Sequence, residues 1–259
     1  MPEKLTRKKY FSEQELADFK RDGFVIVRGM YSAGEMRDLA RWVDEVASRT
    51  EEKGRQMLYF EDSLLEPGKR VLSRIEKFSD YHGSLKDFVT ADRMIGRAAE
   101  LLGEPAVLFK EKVNFKKPGG AGFTPHQDIQ PGWDDYAKYF ISVLVTIDPS
   151  TIENGCLELS AGHHTRGLLG EKWKPLTPEQ LKGVTFTPVP MEPGDVAFFD
   201  CFVPHQSKPN LTGTQRRNLY LTYNGKSEGD HREKYFADKR KAFPPDNERE
   251  PGSNYVFRV

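Results

Sequence analysis

The sequence predicts a mainly β protein with flanking helices, and three observations lead to that class. Capping boxes and helical apolar stripes dominate the chain before Gly103. From there to about residue 225, short apolar runs alternate with Pro, Gly, Asn and Asp, which is typical of a β-sandwich or barrel. A charged segment at 226–250 then predicts a helix followed by a loop. With no repeat or linker, we expect residues 1–259 to form one domain with its core at roughly 104–225.

Composition narrows the classes of function. The chain has 259 residues, enough to bury a sizeable core. Lys+Arg and Asp+Glu are equal at 39 each, so the net charge gives no reason to expect a nucleic-acid or membrane partner. The two cysteines have no paired spacing, which fits a reducing compartment. Residues 1–7 lack an apolar signal region, and the longest apolar run, 140–147, is too short to span a bilayer. We expect a cytoplasmic protein.

The amino-terminal part reads as helix, strand, helix. A capping box at 12–15 opens the first helix, and Gly23 is a suitable terminator. Residues 24–27 then have the composition of a strand. A second capping box at 32–35 opens a helix with one apolar stripe, formed by Met36, Leu39, Ala40, Val43, Val46 and Ala47. That stripe predicts a helix packed on the core.

The stretch 50–81 is irregular and mixed in charge, which predicts long loops with short strands, including one at 57–60. Long loops are often functional, so Tyr59, Arg74 and Lys77 are candidates to face a substrate. A solvated surface is the favoured interpretation for all three.

A further helical stretch precedes the β-rich body. Apolar residues recur with helical spacing over 84–102, and Gly103 follows as a terminator. Beyond it, seven segments have the composition of strands, namely 107–109, 112–115, 139–147, 156–159, 184–189, 196–199 and 218–223.

The spacing of His126 and Asp128 indicates a metal site. On an extended strand, residues two apart project to the same face, so both side chains can reach one ion. A distal imidazole, His205, follows the apolar run 196–200. Two histidines and one carboxylate leave coordination positions open, which is typical of non-haem Fe(II) oxygenases. The alternative is a surface His and Asp on a loop, with His205 an ordinary core or surface histidine.

The order of these motifs resembles the phytanoyl-CoA dioxygenase family of Fe(II)/2-oxoglutarate oxygenases. The resemblance extends from about residue 11 to 224 and is strongest from 112 onward. It implies a double-stranded β-helix, or jelly roll, with the N-terminal helices packed outside. The matching pieces are Thr124-Pro125-His126-Gln127-Asp128, Asn154-Gly155-Cys156-Leu157, Ala161-Gly162-His163-His164, Pro193-Gly194-Asp195, and His205-Gln206-Ser207 with Arg216.

The resemblance assigns His126, Asp128 and His205 as ligands of Fe(II), and neither His163 nor His164 is expected to be one. It places Arg216, eleven residues after His205, against the distal carboxylate of 2-oxoglutarate. A guanidinium binds a carboxylate with two parallel hydrogen bonds. Its neighbour Arg217 competes for that role, but in a strand the two point to opposite faces.

Three more residues are implied near the cosubstrate. Ser207 matches a family serine that hydrogen-bonds the same carboxylate. Asn114 matches an asparagine near the cosubstrate in related hydroxylases, although ordinary strand polarity explains it equally well. Lys112 shares a face with Asn114 and is expected to hold either the cosubstrate or an anionic substrate.

The activity implied is hydroxylation of a C–H bond in a small polar metabolite, with Fe(II), 2-oxoglutarate and O2. The segment 234–246 resembles the subgroup that includes 2-aminoethylphosphonate dioxygenase, which makes 2-aminoethylphosphonate the favoured substrate. Cations for its phosphonate and an anion for its ammonium are required. The candidates are Lys110, Lys112, Arg74 or Lys77, with Asp134 or Asp135.

Other functions stay open at this point. Within the class, the rival is a hydroxylase of an amino acid or natural product. Outside it, the rivals are a metal-binding jelly roll without turnover and a β-sandwich interaction module with incidental histidines. Both leave the position of Arg216 unexplained.

Overall fold

The computed structural model describes residues 8–253 and residue 255. Residues 1–7, where no signal region is expected, lie outside the described residues. The α-helices are α1 Glu13–Asp22, α2 Ala33–Ala47, α3 Gly83–Thr90, α4 Asp92–Leu102 and α5 Arg232–Ala242. The strands are β1 Phe24–Val27, β2 Met57–Asp62, β3 Arg70–Glu76, β4 Ala106–Lys116, β5 Phe123–His126, β6 Phe140–Thr146, β7 Leu157–Leu159, β8 Thr187–Val189, β9 Val196–Asp200, β10 His205–Ser207 and β11 Arg216–Gly225.

The strands form two antiparallel sheets. The larger sheet has the order β1-β9-β6-β11-β4-β3-β2, and the smaller has the order β5-β10-β7-β8. This is the jelly roll that the motif order implied. No helix in the described part of the chain is long and apolar enough to cross a membrane.

Helices α1 to α4 cover the outer face of the larger sheet. Met36 and Leu39 of α2 are buried in one cluster with Val113 of β4 and Leu219 and Leu221 of β11. Because strand side chains alternate, residues 112, 114 and 116 of β4 and 216, 218 and 220 of β11 face the other way. On these two strands the inner face thereby carries polar and charged side chains.

Both predicted capping boxes are confirmed. The hydroxyls of Ser12 and Ser32 accept hydrogen bonds from the backbone N–H groups of Glu15 and Glu35, whose carboxylates bind the N-cap backbone in return. Gly23 ends α1 in the left-handed conformation, as expected of a helix terminator.

The prediction of one helix over 84–102 is wrong. Ala91 adopts an extended backbone (ψ 142°) that ends α3 and starts α4. The break changes the direction of the chain, so that Leu85 and Val89 in α3 and Met94 in α4 are buried in the same core.

Three strand predictions also differ from the structure. The segments 107–109 and 112–115 are one strand, β4, with a bulge at its pairing with Thr222 and Tyr223. The strand predicted at 184–189 is confined to 187–189, where it pairs with β7. The region 50–81 contains a β2–β3 hairpin that pairs with β4 and extends the larger sheet. The limits of these strands depend on pairing with distant strands, which local composition does not reveal.

Candidate active site

Three side chains converge where β5 and β10 of the smaller sheet pair. His126 ends β5 and is the register partner of His205, which begins β10. Asp128 lies beyond the end of β5, in the turn 127–130, and not on an extended strand as expected. The turn nevertheless brings its carboxylate to the two imidazoles. The candidate ligand atoms of His126, Asp128 and His205 all lie within 4.8 Å of one another, and the two imidazole ring centroids are 4.2 Å apart.

Each imidazole is oriented by a backbone carbonyl. Nδ1 of His126 lies 2.6 Å from the carbonyl oxygen of Thr124, and Nδ1 of His205 lies 3.0 Å from that of Val203. A carbonyl only accepts hydrogen bonds, so Nδ1 carries the proton in both rings. Each Nε2 is then unprotonated, and its lone pair is available to a metal ion.

The charge states also suit a divalent metal. Burial and the nearby His205 lower the pKa of His126 to about 3, so its ring is neutral near pH 7. Burial alone would raise the pKa of Asp128, but His205 and Lys112 outweigh it and the pKa is lowered. The hydroxyl of Ser142 donates to Oδ2 of Asp128, which fixes the carboxylate. A neutral imidazole at His126 and an ionised carboxylate at Asp128 are the forms in which these side chains can bind Fe(II).

The side chain of Gln127, between the candidate ligands His126 and Asp128, holds this segment in place through hydrogen bonds. Its amide nitrogen donates to the carbonyl oxygens of Gly167, at 2.8 Å, and Phe202, at 2.6 Å. Its amide oxygen accepts from the backbone N–H of Leu169 at 2.7 Å. No local pattern predicts this role for Gln127, because its partners are about 40 and 75 residues away.

A cavity of about 940 Å³ opens onto His126 and Asp128. Its walls combine cations with aromatic rings. The cations include Arg74, Lys110, Lys112 and Lys239, and the rings include Tyr59, Trp133, Tyr136 and Tyr235. Helix α5 contributes Tyr235, Asp238, Lys239 and Ala242, which repeat at the spacing of one helical face.

Lys110 and Lys112 lie on the inner face of β4 and line this cavity. Nζ of Lys110 is 4.4 Å from the centroid of Trp133, and Nζ of Lys112 is 5.0 Å from that of Tyr220. Within the described residues, no carboxylate lies within 4.0 Å of either amino group. Burial lowers the pKa of both. An anion beside the metal would therefore meet two amino groups that lack a counter-ion.

The other two candidate cations have different surroundings. Arg74 lines the cavity but forms an ion pair with Glu76, at 2.8 Å from Nε. Lys77 is not part of the cavity lining described, and it pairs with Glu233 at 2.8 Å. Tyr59 does line the cavity, so of the three candidates in the 50–81 region, Tyr59 and Arg74 face it.

The candidate partners for a substrate ammonium are already engaged. Asp134 and Asp135 both form salt bridges with Lys172, at 2.6 and 3.2 Å. Asp135 lines the cavity. An ammonium held there would compete with Lys172.

The residues expected to bind the cosubstrate form a second cluster, separate from the residues that line the cavity. Arg216 is 2% exposed, and its Nε has no hydrogen-bond partner within the described chain. Asn218 packs beside it and accepts a hydrogen bond from its guanidinium once the Asn218 amide is oriented to satisfy both of its groups. Asn114 is the register partner of Asn218, and Ser207 accepts a hydrogen bond from Lys116. Among the described residues that line the cavity, Arg216, Ser207 and Asn114 are not included.

Comparison with known proteins identifies the family. The family model for phytanoyl-CoA dioxygenase (PhyH) matches residues 19–218. The chain belongs to the phytanoyl-CoA dioxygenase family. It is 40% identical over 248 residues to a 2-aminoethylphosphonate dioxygenase of an uncultured bacterium, HF130_AEPn_1, covering 95% of this chain and 94% of that protein. It is 36% identical over 233 residues to a methylphosphonate hydroxylase of Gimesia maris, covering 90% and 88%.

Solved structures share the fold. EctD from S. alaskensis, determined with 2-oxoglutarate and 5-hydroxyectoine, matches with a TM-score of 0.72 at 22% identity, over 86% of this chain and 79% of that one. The epimerase SnoN, determined with Fe3+, α-ketoglutarate and nogalamycin RO, matches with a TM-score of 0.68 at 20% identity, over 95% and 93%. As a phytanoyl-CoA dioxygenase family member, this chain is an Fe(II)- and 2-oxoglutarate-dependent dioxygenase.

Proposed function

We propose that the enzyme hydroxylates a small phosphonate at the carbon next to phosphorus. The favoured substrate is 2-aminoethylphosphonate, and the product is then 2-amino-1-hydroxyethylphosphonate. Per turnover, one C–H becomes C–OH, while O2 and 2-oxoglutarate are converted to the hydroxyl oxygen, succinate and CO2. The observation that carries the proposal is the pair Lys110 and Lys112, which face the cavity near the metal ligands without a carboxylate partner.

The charges beside the metal ligands favour an anion. Of the cations that line the cavity, Arg74 and Lys239 are paired with the buried Glu76. Lys110 and Lys112 have no carboxylate within 4.0 Å in the described part of the chain. A phosphonate bound beside these two amino groups would gain the cations that its desolvation requires.

The similar proteins point the same way. The two relatives at 40% and 36% identity are named for 2-aminoethylphosphonate and methylphosphonate. The segment that resembled the aminophosphonate subgroup contains α5, whose inner face lines the cavity with Tyr235, Asp238 and Lys239.

Each proposed site residue has a distinct task. His126, Asp128 and His205 hold the iron, which together with 2-oxoglutarate supplies the oxidising chemistry. Arg216 and Ser207 hold the distal carboxylate of 2-oxoglutarate, and Asn114 lies next to them. Lys112, with Lys110, orients the phosphonate so that the neighbouring C–H faces the metal. Residues 1–259 act as one catalytic domain in this proposal.

A second candidate within the class is a hydroxylase of a larger metabolite, such as an amino-acid derivative or natural product. The volume of the cavity, about 940 Å³, favours it, since pockets of roughly this size hold drug-sized ligands. A metal-binding jelly roll without turnover would show iron binding and no succinate.

The experiment is an aerobic incubation of iron-loaded protein with 2-oxoglutarate and a panel of aminophosphonates, alkylphosphonates, amino acids and betaines. Succinate is measured against the background without substrate. The proposal predicts succinate in step with a new phosphorus resonance for the aminophosphonate. Succinate with an amino acid or larger metabolite alone would replace the phosphonate assignment and keep the oxygenase assignment.

A further inference from the structure

Lys116 is a buried basic residue that the sequence did not single out. It ends β4, directly before a turn, and it is 2% exposed. Its register partner is Arg216, on the inner face of the same sheet. Two basic side chains therefore lie on adjacent strands where the distal carboxylate of 2-oxoglutarate is proposed to bind.

The amino group of Lys116 has three acceptors. It donates to the hydroxyl of Ser207 at 2.7 Å, to the carbonyl oxygen of Gly155 at 3.2 Å, and to that of Lys208. An ammonium carries three N–H donors. All three are used within the protein, so Lys116 has none left to offer the cosubstrate directly.

These bonds determine how Ser207 can act. Its oxygen accepts from Lys116, so the single hydroxyl hydrogen points elsewhere. Within the described residues, no acceptor for that hydrogen lies at hydrogen-bond distance. Nε of Arg216 is likewise a buried donor without a described partner. Both donors belong to neighbours of Lys116, since Ser207 is bonded to it and Arg216 is its register partner, and two such donors suit a carboxylate.

Gly155 makes room for this arrangement. It has φ +74°, and a Cβ there would lie 3.1 Å from Nζ of Lys116 and 2.1 Å from the carbonyl oxygen of Lys208. The turn that contains Gly155 was one of the matching motifs. The positive φ and the close approach of the Lys208 carbonyl, which also accepts from Lys116, are physical reasons for a glycine at that position.

The pKa of Lys116 depends on the charges around it, including that of a bound carboxylate. Burial and then Arg216 lower the pKa of Lys116 to about 6. The other charged or titratable groups that act on it are Glu61, Cys156 and Glu158. A carboxylate placed beside Arg216 offsets the repulsion between the two cations and favours the ammonium form, which alone can serve three acceptors.

We propose that Lys116 is a positioning residue for the cosubstrate: it holds the Ser207 hydroxyl so that its hydrogen points to the distal carboxylate of 2-oxoglutarate. This inference rests on the proposed roles of Arg216 and Ser207. It predicts that Lys116 acts only on ligands that carry a distal carboxylate, and only through Ser207.

Calorimetric titration of protein loaded with redox-inert Mn(II) tests this without turnover. The ligands are 2-oxoglutarate and 2-oxopentanoate, which lacks the distal carboxylate. Lys116→Met is expected to raise the dissociation constant for 2-oxoglutarate about tenfold, the size of one hydrogen bond to a charged group, and to leave that for 2-oxopentanoate unchanged. Ser207→Ala should match it, and the double variant should add nothing further. Lys117→Met, at the neighbouring position, is the control.

Equal weakening of both oxoacids, or additive effects of the two substitutions, would overturn the inference. If Lys116→Met does not fold, Lys116→Gln tests the same ligand difference with a shorter, uncharged donor. Arg216→Ala distinguishes an error in the proposed cosubstrate site from an error in the role of Lys116. If Arg216→Ala leaves 2-oxoglutarate binding intact, the proposed cosubstrate site is wrong. If it weakens binding while Lys116→Met does not, only the role of Lys116 is wrong.

Discussion

Arg216 and Arg217 are adjacent in β11, yet their guanidinium groups lie on opposite faces of the larger sheet. Arg217 donates to both carboxylate oxygens of Asp148, at 2.8 Å each, and to Asp44 of α2 at 2.6 Å. Arg216 is buried on the inner face with an unpartnered Nε. Strand alternation predicted this division, and it leaves only Arg216 available to a ligand in the barrel.

The first prediction follows from that division. Arg216→Ala should weaken 2-oxoglutarate binding by about 2–5 kcal/mol, because a buried carboxylate loses its charge-assisted partner. Titration of Mn(II)-loaded protein measures it. Arg217→Ala is the matched control: it should lower the melting temperature by removing the Asp148 and Asp44 contacts, with 2-oxoglutarate affinity kept. The reverse pattern would assign the cosubstrate to the outer face.

The second prediction concerns the metal. His126→Ala, Asp128→Ala and His205→Ala should each lose Fe(II)-dependent turnover and retain the fold, because each removes one of three proposed ligands. Bound iron per chain and circular dichroism measure the two effects. His163→Ala is the control, since His163 bonds to Ser160 and Gly183 away from the site. Normal turnover in any of the three variants would remove that residue from the ligand set.

A related substitution probes the open coordination position. Asp128→Gly should bind iron more weakly and admit an anion where the carboxylate was. Chloride or azide titration of the iron-loaded variant, followed by absorption, measures it. The wild-type protein should show no such absorption change. An identical change in the wild-type protein would contradict the proposed role of Asp128 as a ligand.

The third prediction concerns the substrate anion. Lys112→Met should raise the KM for the phosphonate by at least about tenfold, since a buried anion loses a cation, while the KM for 2-oxoglutarate stays the same. Lys110→Met should act in the same direction. Lys77→Met is the control, because Lys77 pairs with Glu233 and is not among the described residues that line the cavity. If Lys112→Met weakens 2-oxoglutarate instead, Lys112 belongs to the cosubstrate.

The fourth prediction is about stability. Glu76 is fully buried between Arg74 and Lys239. Burial alone would raise its pKa, but the two cations outweigh it and hold the pKa at about 2. Glu76→Gln leaves both cations without a buried counter-ion and should cost roughly 3–5 kcal/mol of unfolding free energy in denaturant titration. Glu66→Gln, which breaks an exposed pair with Lys69, should cost about 1 kcal/mol or less.

The same carboxylate gives a pH dependence. Its pKa is lower in the folded protein than the ordinary value of 4.5. Its contribution to stability is therefore present above about pH 4.5 and is lost as the pH falls towards 2. Glu76→Gln should flatten the acid limb of the stability profile in that window. An unchanged acid limb would show that Glu76 is not held ionised by its neighbours.

Sequence patterns predicted the features that depend on residues close together in the chain. Ser12 and Ser32 cap helices because the capping carboxylate is three residues away. His126 and Asp128 do converge, as their spacing predicted, but Asp128 reaches the site from the turn after β5 and not from an extended strand. The break at Ala91 and the β2–β3 hairpin depend on packing and pairing with distant strands. Lys116 and Gln127 were missed for the same reason, since their partners are distant in sequence and only the fold brings them together.

Turnover of 2-aminoethylphosphonate is the decisive measurement for the proposed phosphonate hydroxylase. Iron-loaded protein is incubated in air with 2-oxoglutarate and 2-aminoethylphosphonate, and succinate and phosphorus resonances are followed together. We expect one equivalent of succinate per equivalent of 2-amino-1-hydroxyethylphosphonate, and no product in the His126→Ala variant. Succinate no higher than the background without substrate, with an unchanged phosphonate resonance, would rule out this substrate.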